Sequence, residues 1–244
     1  MKKIMAVLVC LSFLVFSGLA QDKKKKVIPK DPAGYKRTVV KVNIEGIKDK
    51  ILYMSSTGKG KKPLLIYLHG AGGHKRDISA VSSPFAMGYS RFKISCDVVH
   101  PQSQKMWSPK AIDELIAFML KNYEIDPKKI YLAGFSMGGA GTWYHVFEGK
   151  YPVAAYMPMG SGASKTGKVH EKWDIDKCKD KHIWMIHGDK DKVVPYANAK
   201  ESADLISKIS KRFIFTTLEG VAHNPGNLYK SKETFDWLLK HSSK

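Results

Sequence analysis

The stretch that decides the fold runs Ile130-Tyr131-Leu132-Ala133-Gly134-Phe135-Ser136-Met137-Gly138-Gly139-Ala140-Gly141-Thr142. Its apolar start is typical of a buried strand, and the small residues at its end favour a helix that packs closely on a sheet. Between them stands Gly-x-Ser-x-Gly, the sequence form of a tight strand-to-helix turn. Such a turn strains the backbone of Ser136, and the two flanking glycines allow it because they have no side chains to collide. The stretch therefore predicts a serine hydroxyl lifted clear of the backbone.

The predicted turn places Ser136 where a negative charge is stabilised. The amide of Met137 and the positive end of the following helix both face the position at which an oxyanion would form. A serine so placed can act as a nucleophile, which predicts an enzyme of the serine hydrolase class. A turn with a purely structural role is the alternative, and the partners that a nucleophilic serine requires decide between the two.

Segments typical of strands and of helices alternate along the chain, after an edge hairpin predicted at residues 35–44 and 51–55. The predicted strands lie at residues 64–68, 94–99, 130–133, 153–157, 182–186 and 213–218. The predicted helices lie at residues 111–122, 139–147, 196–209 and 231–239. This alternation predicts an α/β domain with a mostly parallel central sheet and helices on both faces. In such sheets, ligands bind at the carboxyl ends of the strands.

Four loops that follow predicted strands carry groups suited to acyl transfer. The glycine-rich loop at residues 69–73 offers exposed amides, and Ser136 follows the next strand but one. Asp189 and Asp191 follow the last strand but one, and His223 follows the last. Serine, aspartate and histidine thus occur in the order in which a Ser-Asp-His triad is found on one edge of an α/β sheet. The pattern leaves both aspartates open as the acid.

Several of these motifs resemble those of a known family. They are the His69-Gly70 loop, the elbow at residues 134–138, the His-Gly-x-x-Asp-x-x-Val-Pro pattern at residues 187–195, and His223 before the last helix. Together they are similar to α/β-hydrolases, in particular to secreted esterases of the dienelactone-hydrolase-like, feruloyl or acetyl-xylan esterase and polyhydroxybutyrate-depolymerase-like group. The resemblance covers nearly all of the chain after residue 20, and it implies an α/β-hydrolase fold.

The resemblance also implies residue roles. Ser136 corresponds to the nucleophile, His223 to the general base, and Asp191 rather than Asp189 to the acid that orients the histidine. Dienelactone hydrolase itself carries a cysteine nucleophile, so the serine at this position departs from that enzyme and argues against its substrate.

Three further residues are candidates for the site. Backbone amides of Ala71 and Met137 are expected to form the oxyanion hole. Trp107 falls in a loop beyond a predicted strand and is a candidate for substrate binding, with a place in the core or on the surface as the alternative. A lid in this fold is usually inserted after the strand that follows the elbow helix, and residues 160–181 leave little room for one. The sequence therefore predicts no large lid domain.

The N-terminus is typical of an exported protein. Residues 1–20 combine a basic start, an apolar stretch and a small-residue ending at Ala20, which predicts a signal peptide and a secreted or periplasmic location. A lysine-rich linker is predicted at residues 21–33 and the catalytic domain at residues 34–244. After cleavage, no segment is long and apolar enough for an integral membrane span.

Charge and composition limit the partners. The formal net charge is +19, which removal of two lysines and no acid with residues 1–20 lowers to +17, so anionic partners are favoured. The lysines are dispersed and accompany no nucleic-acid motif, so nucleic acid is not an expected partner. No Cys/His spacing indicates a metal site, and no cofactor is expected. Cys96 is predicted to be a buried thiol, and whether it pairs with Cys178 is left open.

These observations predict a secreted serine carboxylesterase that forms an acyl-enzyme. An uncovered site favours small-molecule or polysaccharide-linked esters, such as acetyl or feruloyl groups on polysaccharide, over deeply buried lipid chains. A serine peptidase or another acyl hydrolase is one alternative. A non-catalytic protein that binds an anionic polymer on a hydrolase fold is another, against which the complete set of serine, aspartate and histidine argues.

Overall fold

The computed structural model describes residues 28–163, 173–224 and 231–243. In this part of the chain the strands are β1 (Tyr35–Lys41), β2 (Ile47–Ser56), β3 (Lys62–Leu68), β4 (Asp97–Ser103), β5 (Ile125–Phe135), β6 (Ala155–Met159), β7 (Ile183–Gly188) and β8 (Phe213–Leu218). The α-helices are α1 (Pro84–Arg91), α2 (Pro109–Asn122), α3 (Met137–Glu148), α4 (Tyr196–Ile209) and α5 (Lys232–Leu239).

The strands form one sheet in the order β1-β2-β4-β3-β5-β6-β7-β8. β1 and β2 form the predicted antiparallel edge hairpin, and β2 also runs antiparallel to β4. All pairs from β4 to β8 are parallel. The carboxyl ends of these six strands therefore share one edge, as the alternation of elements predicts.

Helices cover both faces of the sheet. Apolar side chains of α2, α3 and α4 pack on one face, with Trp143 among the fully buried ones. Those of α1 and α5 pack on the other face, where Phe85 and Phe235 meet edge to face. Each helix thus buries its apolar stripe against the sheet, which is the main driving force for this three-layer arrangement. The predicted fold class is confirmed.

Besides end shifts of two to five residues in β2, β5 and β6, two differences from the predicted elements concern β4 and α1. The strand predicted at residues 94–99 is shifted and begins at Asp97, because Lys93 has a φ of 56° and the chain is still turning out of α1. β4 then continues through His100 and Gln102, polar residues that are buried here and that a hydrophobic pattern does not mark as strand. The sequence pattern predicts no helix at α1, although Ser83 caps this helix and Pro84 begins it, which is a recognised start signal.

Several predictions concern residues outside the described part of the chain. The signal peptide at residues 1–20 and most of the linker at residues 21–33 lie there, and so do residues 164–172 of the segment in which a lid would be inserted. The domain boundaries and the lack of a large lid therefore stay predictions. Within the described residues, no helix has both the length and the apolar character that crossing a membrane requires. Cys96 and Cys178 are both buried, and both are free thiols with no disulfide between them.

Candidate active site

The turn around Ser136 is sterically possible only with glycines at its base. Ser136 lies between β5 and α3 with φ 57° and ψ −119°, a conformation that costs on the order of 1–3 kcal/mol. A Cβ at Gly134 would lie 2.2 Å from the Gly138 carbonyl oxygen, and one at Gly138 would lie 2.0 Å from the Leu68 carbonyl oxygen. Neither distance is tolerable, so the Gly-x-Ser-x-Gly motif is a requirement of packing between β3, β5 and α3.

A chain of hydrogen bonds joins the three residues that the sequence analysis singled out. Ser136 Oγ lies 2.8 Å from His223 Nε2, and His223 Nδ1 lies 2.7 Å from Asp191 Oδ2. Because an ionised carboxylate can only accept, Nδ1 carries the proton in the neutral imidazole. Nε2 is then the acceptor for the serine O–H. The geometry thus holds His223 in the tautomer that a general base for Ser136 requires.

The carboxylate of Asp191 is held in its charged form. Its Oδ1 accepts the amides of Val193 and Val194, both at 2.9 Å, while Oδ2 faces His223. Burial by itself raises the pKa of Asp191, but the hydrogen bonds from His223 and from the two amides outweigh it and hold the pKa below its usual value. Asp191 is therefore a fixed negative charge behind the imidazole.

Asp189 has a different place. Its Oδ1 accepts the backbone amide of Gly220 at 2.7 Å, which ties the loop after β7 to the loop that carries His223. Of the two aspartates that the sequence left open, the structure brings Asp191 to the histidine. The sequence alone does not decide between them because they lie only two residues apart on one loop.

The loop after β3 is locked by His69. Nε2 of His69 accepts the Ser103 amide at 3.1 Å, so Nδ1 carries the proton and donates to the Gly70 carbonyl at 2.8 Å. The Gly70 carbonyl and the Ala71 amide belong to one planar trans peptide and point in opposite directions. Fixing the carbonyl therefore also fixes the direction of the Ala71 N–H, one of the two predicted oxyanion donors.

The second predicted donor lies at the start of α3. Met137 is the first residue of that helix, where an amide has no acceptor within the helix. A Cβ added to Gly70 would lie 3.3 Å from the Cβ of Ser136, so the glycine-rich loop passes directly beside the serine. The amides of both predicted donors thus lie on segments that adjoin Ser136.

Trp107 does not lie where substrate binding requires. Its side chain is only 2% exposed and belongs to the core under α2 and α3, and it is not among the residues that line the cavity at Ser136. Its Nε1 donates to the His69 carbonyl at 3.0 Å, and its ring lies against the His69 ring. The prediction of a substrate-binding role is therefore corrected. Trp107 supports the glycine-rich loop through its contacts with His69, a role that only the folded structure reveals.

A cavity of about 450 Å³ opens beside Ser136 and His223. Its apolar wall is formed by Ile78, Val81, Pro84, Phe135 and Val193. Three polar residues that the sequence analysis did not single out, Arg76, His100 and Gln102, line it as well. The hydrophobic pattern gave no signal for His100 and Gln102, because the predicted strand ends at residue 99 and β4 continues to Ser103. Among the described residues, no group of three or more His, Cys, Asp or Glu side chains is arranged to hold a metal ion.

His100 is expected to make the stability of the protein depend on pH. It is 4% exposed, its Nε2 lies 2.7 Å from Ser83 Oγ, and its pKa is lowered to about 3, mainly by burial and further by the positive charge of Arg37. The unfolded chain takes up a proton on this residue below about pH 6.5, whereas the folded protein does not. We expect the free energy of unfolding to fall by about 2 kcal/mol between pH 7 and pH 5 from this residue alone.

Urea unfolding at the two pH values measures the effect, and His100→Asn, which does not titrate, is the matched variant. The variant should lose this part of the pH dependence. An equal pH dependence in both proteins would contradict the assignment to His100.

The sequence profile of the phospholipase/carboxylesterase family matches residues 89–228. A bifunctional acetylxylan esterase/xylanase of Neocallimastix patriciarum is 29% identical over 159 residues, which are 61% of this chain and 22% of that protein. An acyl-protein thioesterase 1 homolog of Dictyostelium discoideum is 31% identical over 138 residues, 56% of this chain and 60% of that protein. The matched segments thus span less than two thirds of both curated relatives.

Solved structures agree on the fold. A thermostable esterase superposes with a TM-score of 0.68 at 24% identity, covering 87% of this chain and 64% of that one. The feruloyl esterase module from Clostridium thermocellum superposes with a TM-score of 0.64 at 15% identity, covering 89% and 91%. Because both sequence identities are below 25%, this likeness concerns the fold alone.

Proposed function

Because the chain belongs to the phospholipase/carboxylesterase family, we propose that it hydrolyses carboxylic esters through a covalent acyl-enzyme on Ser136. The observation that carries the proposal is the unbroken hydrogen-bond chain from Ser136 Oγ through the imidazole of His223 to the carboxylate of Asp191. A purely structural serine turn has no need of such a chain. The proposal assigns catalytic roles to these three residues.

In the proposed mechanism, Ser136 Oγ attacks the ester carbonyl carbon while His223 Nε2 takes its proton. The negative charge that forms on the carbonyl oxygen is stabilised by the amides of Ala71 and Met137. The bond to the leaving alcohol then breaks, and His223 returns the proton to the alcohol oxygen. Water repeats the sequence on the acyl-serine and releases the carboxylic acid. Asp191 stabilises the protonated imidazole in both halves.

We propose acetyl or feruloyl esters on polysaccharide as the substrate class. The curated relative from Neocallimastix is an acetylxylan esterase/xylanase by name, and one of the structural neighbours is a feruloyl esterase module. The cavity beside Ser136 has an apolar wall that suits a short or aromatic acyl group and polar groups that suit a sugar. A thioesterase is the second candidate, since other relatives are acyl-protein thioesterases by name.

The test compares release of acetate from acetylated xylan, release of ferulate from feruloylated arabinoxylan, and hydrolysis of a palmitoyl thioester, each with the wild-type protein and with Ser136→Ala. We expect release from at least one polysaccharide ester that exceeds hydrolysis of the thioester in kcat/KM and is lost in the variant. Hydrolysis confined to the thioester would replace the ester assignment with the second candidate. Equal rates for both proteins on all three substrates would reject Ser136 as the nucleophile.

We further propose that the protein is exported to the periplasm or the medium, with cleavage after Ala20. The support is the sequence pattern of residues 1–20, a basic start followed by an apolar stretch and small residues. The intact mass of the protein recovered from its native host tests this. A mass that includes residues 1–20 would contradict the proposal.

A further inference from the structure

Arg76 stands on the wall of the cavity in a fixed backbone position. It follows a short 3-10 turn at Gly73–Lys75, and its amide donates to the Gly73 carbonyl at 3.2 Å. The side-chain amide of Gln102 donates to the Arg76 and Gly73 carbonyls, both at 2.8 Å. The turn that presents Arg76 is thus tied to β4, which holds the start of its side chain at the cavity although the residue as a whole is exposed.

The guanidinium has no partner of its own among the described residues. No hydrogen bond or ion pair in that part of the chain involves its nitrogen atoms. Two other arginines with fixed positions are engaged: Arg37 binds Asp31 and two carbonyls, and Arg212 binds the Asp180 carbonyl. Arg76 therefore lines the cavity with guanidinium donors that no described residue engages.

Among the described residues, the lining of the cavity carries an unbalanced positive charge. Arg76 is the one lysine, arginine, aspartate or glutamate among the described residues that line it. Asp191 is not among the described residues that line the cavity, and its carboxylate accepts hydrogen bonds from His223 and from two amides. Asp77, the neighbour of Arg76 in sequence, directs Oδ1 to the amide and hydroxyl of Ser79. The positive charge thus faces a space in which the described residues place no acid.

From this arrangement we propose that the cavity selects esters that carry a carboxylate, and that Arg76 binds it. The planar guanidinium matches a carboxylate with two parallel N–H donors, and the pairing is favoured over neutral hydrogen bonds. The net charge of +19 would also attract such a substrate to the protein. The proposal rests on the proposed ester hydrolysis at Ser136 and deepens it by naming the substrate class.

The carboxylate has two possible sources, which are distinguished by experiment. It belongs either to the sugar, as in an acetylated uronic acid polymer, or to the acyl group, as in a half-ester of a dicarboxylic acid. In the first arm, kcat/KM is compared between acetylated polygalacturonate and acetylated xylan. In the second, it is compared between p-nitrophenyl hemiglutarate and p-nitrophenyl butyrate.

Each arm is measured with the wild-type protein, with Arg76→Gln and with Lys75→Gln. Lys75 is the adjacent exposed cation and does not line the cavity, so its variant controls for the change in net charge. We expect Arg76→Gln to lower kcat/KM by about 10- to 100-fold on the anionic substrate of one arm, with a change below about threefold on the neutral one. The Lys75 variant should change neither by more than about threefold.

Three results would overturn the proposal. The first is an equal loss on neutral and anionic substrates in Arg76→Gln, which would make the residue structural. The second is a loss in Lys75→Gln as large as that in Arg76→Gln, which would mean that the net charge attracts the substrate and that Arg76 does not bind it. The third is no effect in either arm.

Failure of ester hydrolysis itself is recognised by inactivity on the neutral esters too. Binding then decides between the two. Calorimetry with Ser136→Ala protein should show tighter binding of trigalacturonate or glutarate than of xylotriose. The double variant Ser136→Ala/Arg76→Gln should lose this preference. Equal binding with and without the arginine would reject the proposal independently of catalysis.

Discussion

Replacing Ser136 by alanine is expected to lower kcat for p-nitrophenyl acetate by about 10⁴-fold or more, while the protein stays folded. The variant loses the oxygen atom that would form the acyl-enzyme, and the imidazole of His223 loses the group that it is positioned to deprotonate. The backbone of the elbow is retained because it depends on Gly134 and Gly138. Steady-state kinetics and circular dichroism on the same preparations measure both halves of the expectation.

Ser55→Ala is the matched control, since Ser55 lies on the edge hairpin, distant in the sheet order from β5. It should retain the wild-type rate within about twofold, as surface substitutions do. A fluorophosphonate should label the wild-type protein and the control but not Ser136→Ala. Wild-type rates in Ser136→Ala would show that another group attacks the ester.

Replacing Asp191 by asparagine is expected to lower kcat by about 10⁴-fold with little change in KM. The oxygen of the new amide would be retained by the amides of Val193 and Val194, which donate to Oδ1 of Asp191. Its NH₂ group would then face Nδ1 of His223 and require an unprotonated nitrogen there. The imidazole proton would move to Nε2, the atom that has to accept the proton of Ser136.

Asp189→Asn is the matched control, two residues away on the same loop. Asp189 accepts the Gly220 amide, which the oxygen of an asparagine can also do, so kcat should fall by less than about tenfold. The contrast between the two variants tests the assignment of the acid. A larger loss in Asp189→Asn than in Asp191→Asn would reverse that assignment.

Asp191→Asn is also expected to change how stability depends on pH. The pKa of Asp191 is held below its usual value in the folded protein, so its contribution to stability is present above the unfolded pKa near 4 and is lost as pH falls through the lower folded value. Asp191→Asn should remove this contribution at neutral pH. Its stability relative to the wild type should therefore recover at low pH, where the wild-type carboxyl is also protonated.

Short-range sterics explain why much of this protein could be predicted from its sequence. The elbow depends on Gly134 and Gly138, because any Cβ there would meet backbone atoms, and this requirement is written in five consecutive residues. The bounds of α4 and β8 agree with those predicted because the periodicity of apolar residues within a helix or strand reflects its own buried face. The fold class follows from the alternation of such segments.

Contacts between distant parts of the chain could not be predicted in the same way. His223 meets Ser136 across 87 positions in sequence because the order and register of the sheet place the ends of β5 and β8 on one edge. The choice of Asp191 over Asp189 depends on the direction in which one loop turns its carboxylates. The core position of Trp107 and the presence of Arg76 on the cavity wall likewise depend on how loops pack over the sheet.

The sequence by itself therefore determined the fold class, the strained serine turn and the residue types available for acyl transfer, because each of these follows from local sterics and local periodicity. Only the tertiary structure decided which aspartate faces the histidine, which groups line the cavity and where Trp107 lies. The physical reason is that these contacts join side chains from separate elements, and their distances are fixed by the packing of the whole sheet.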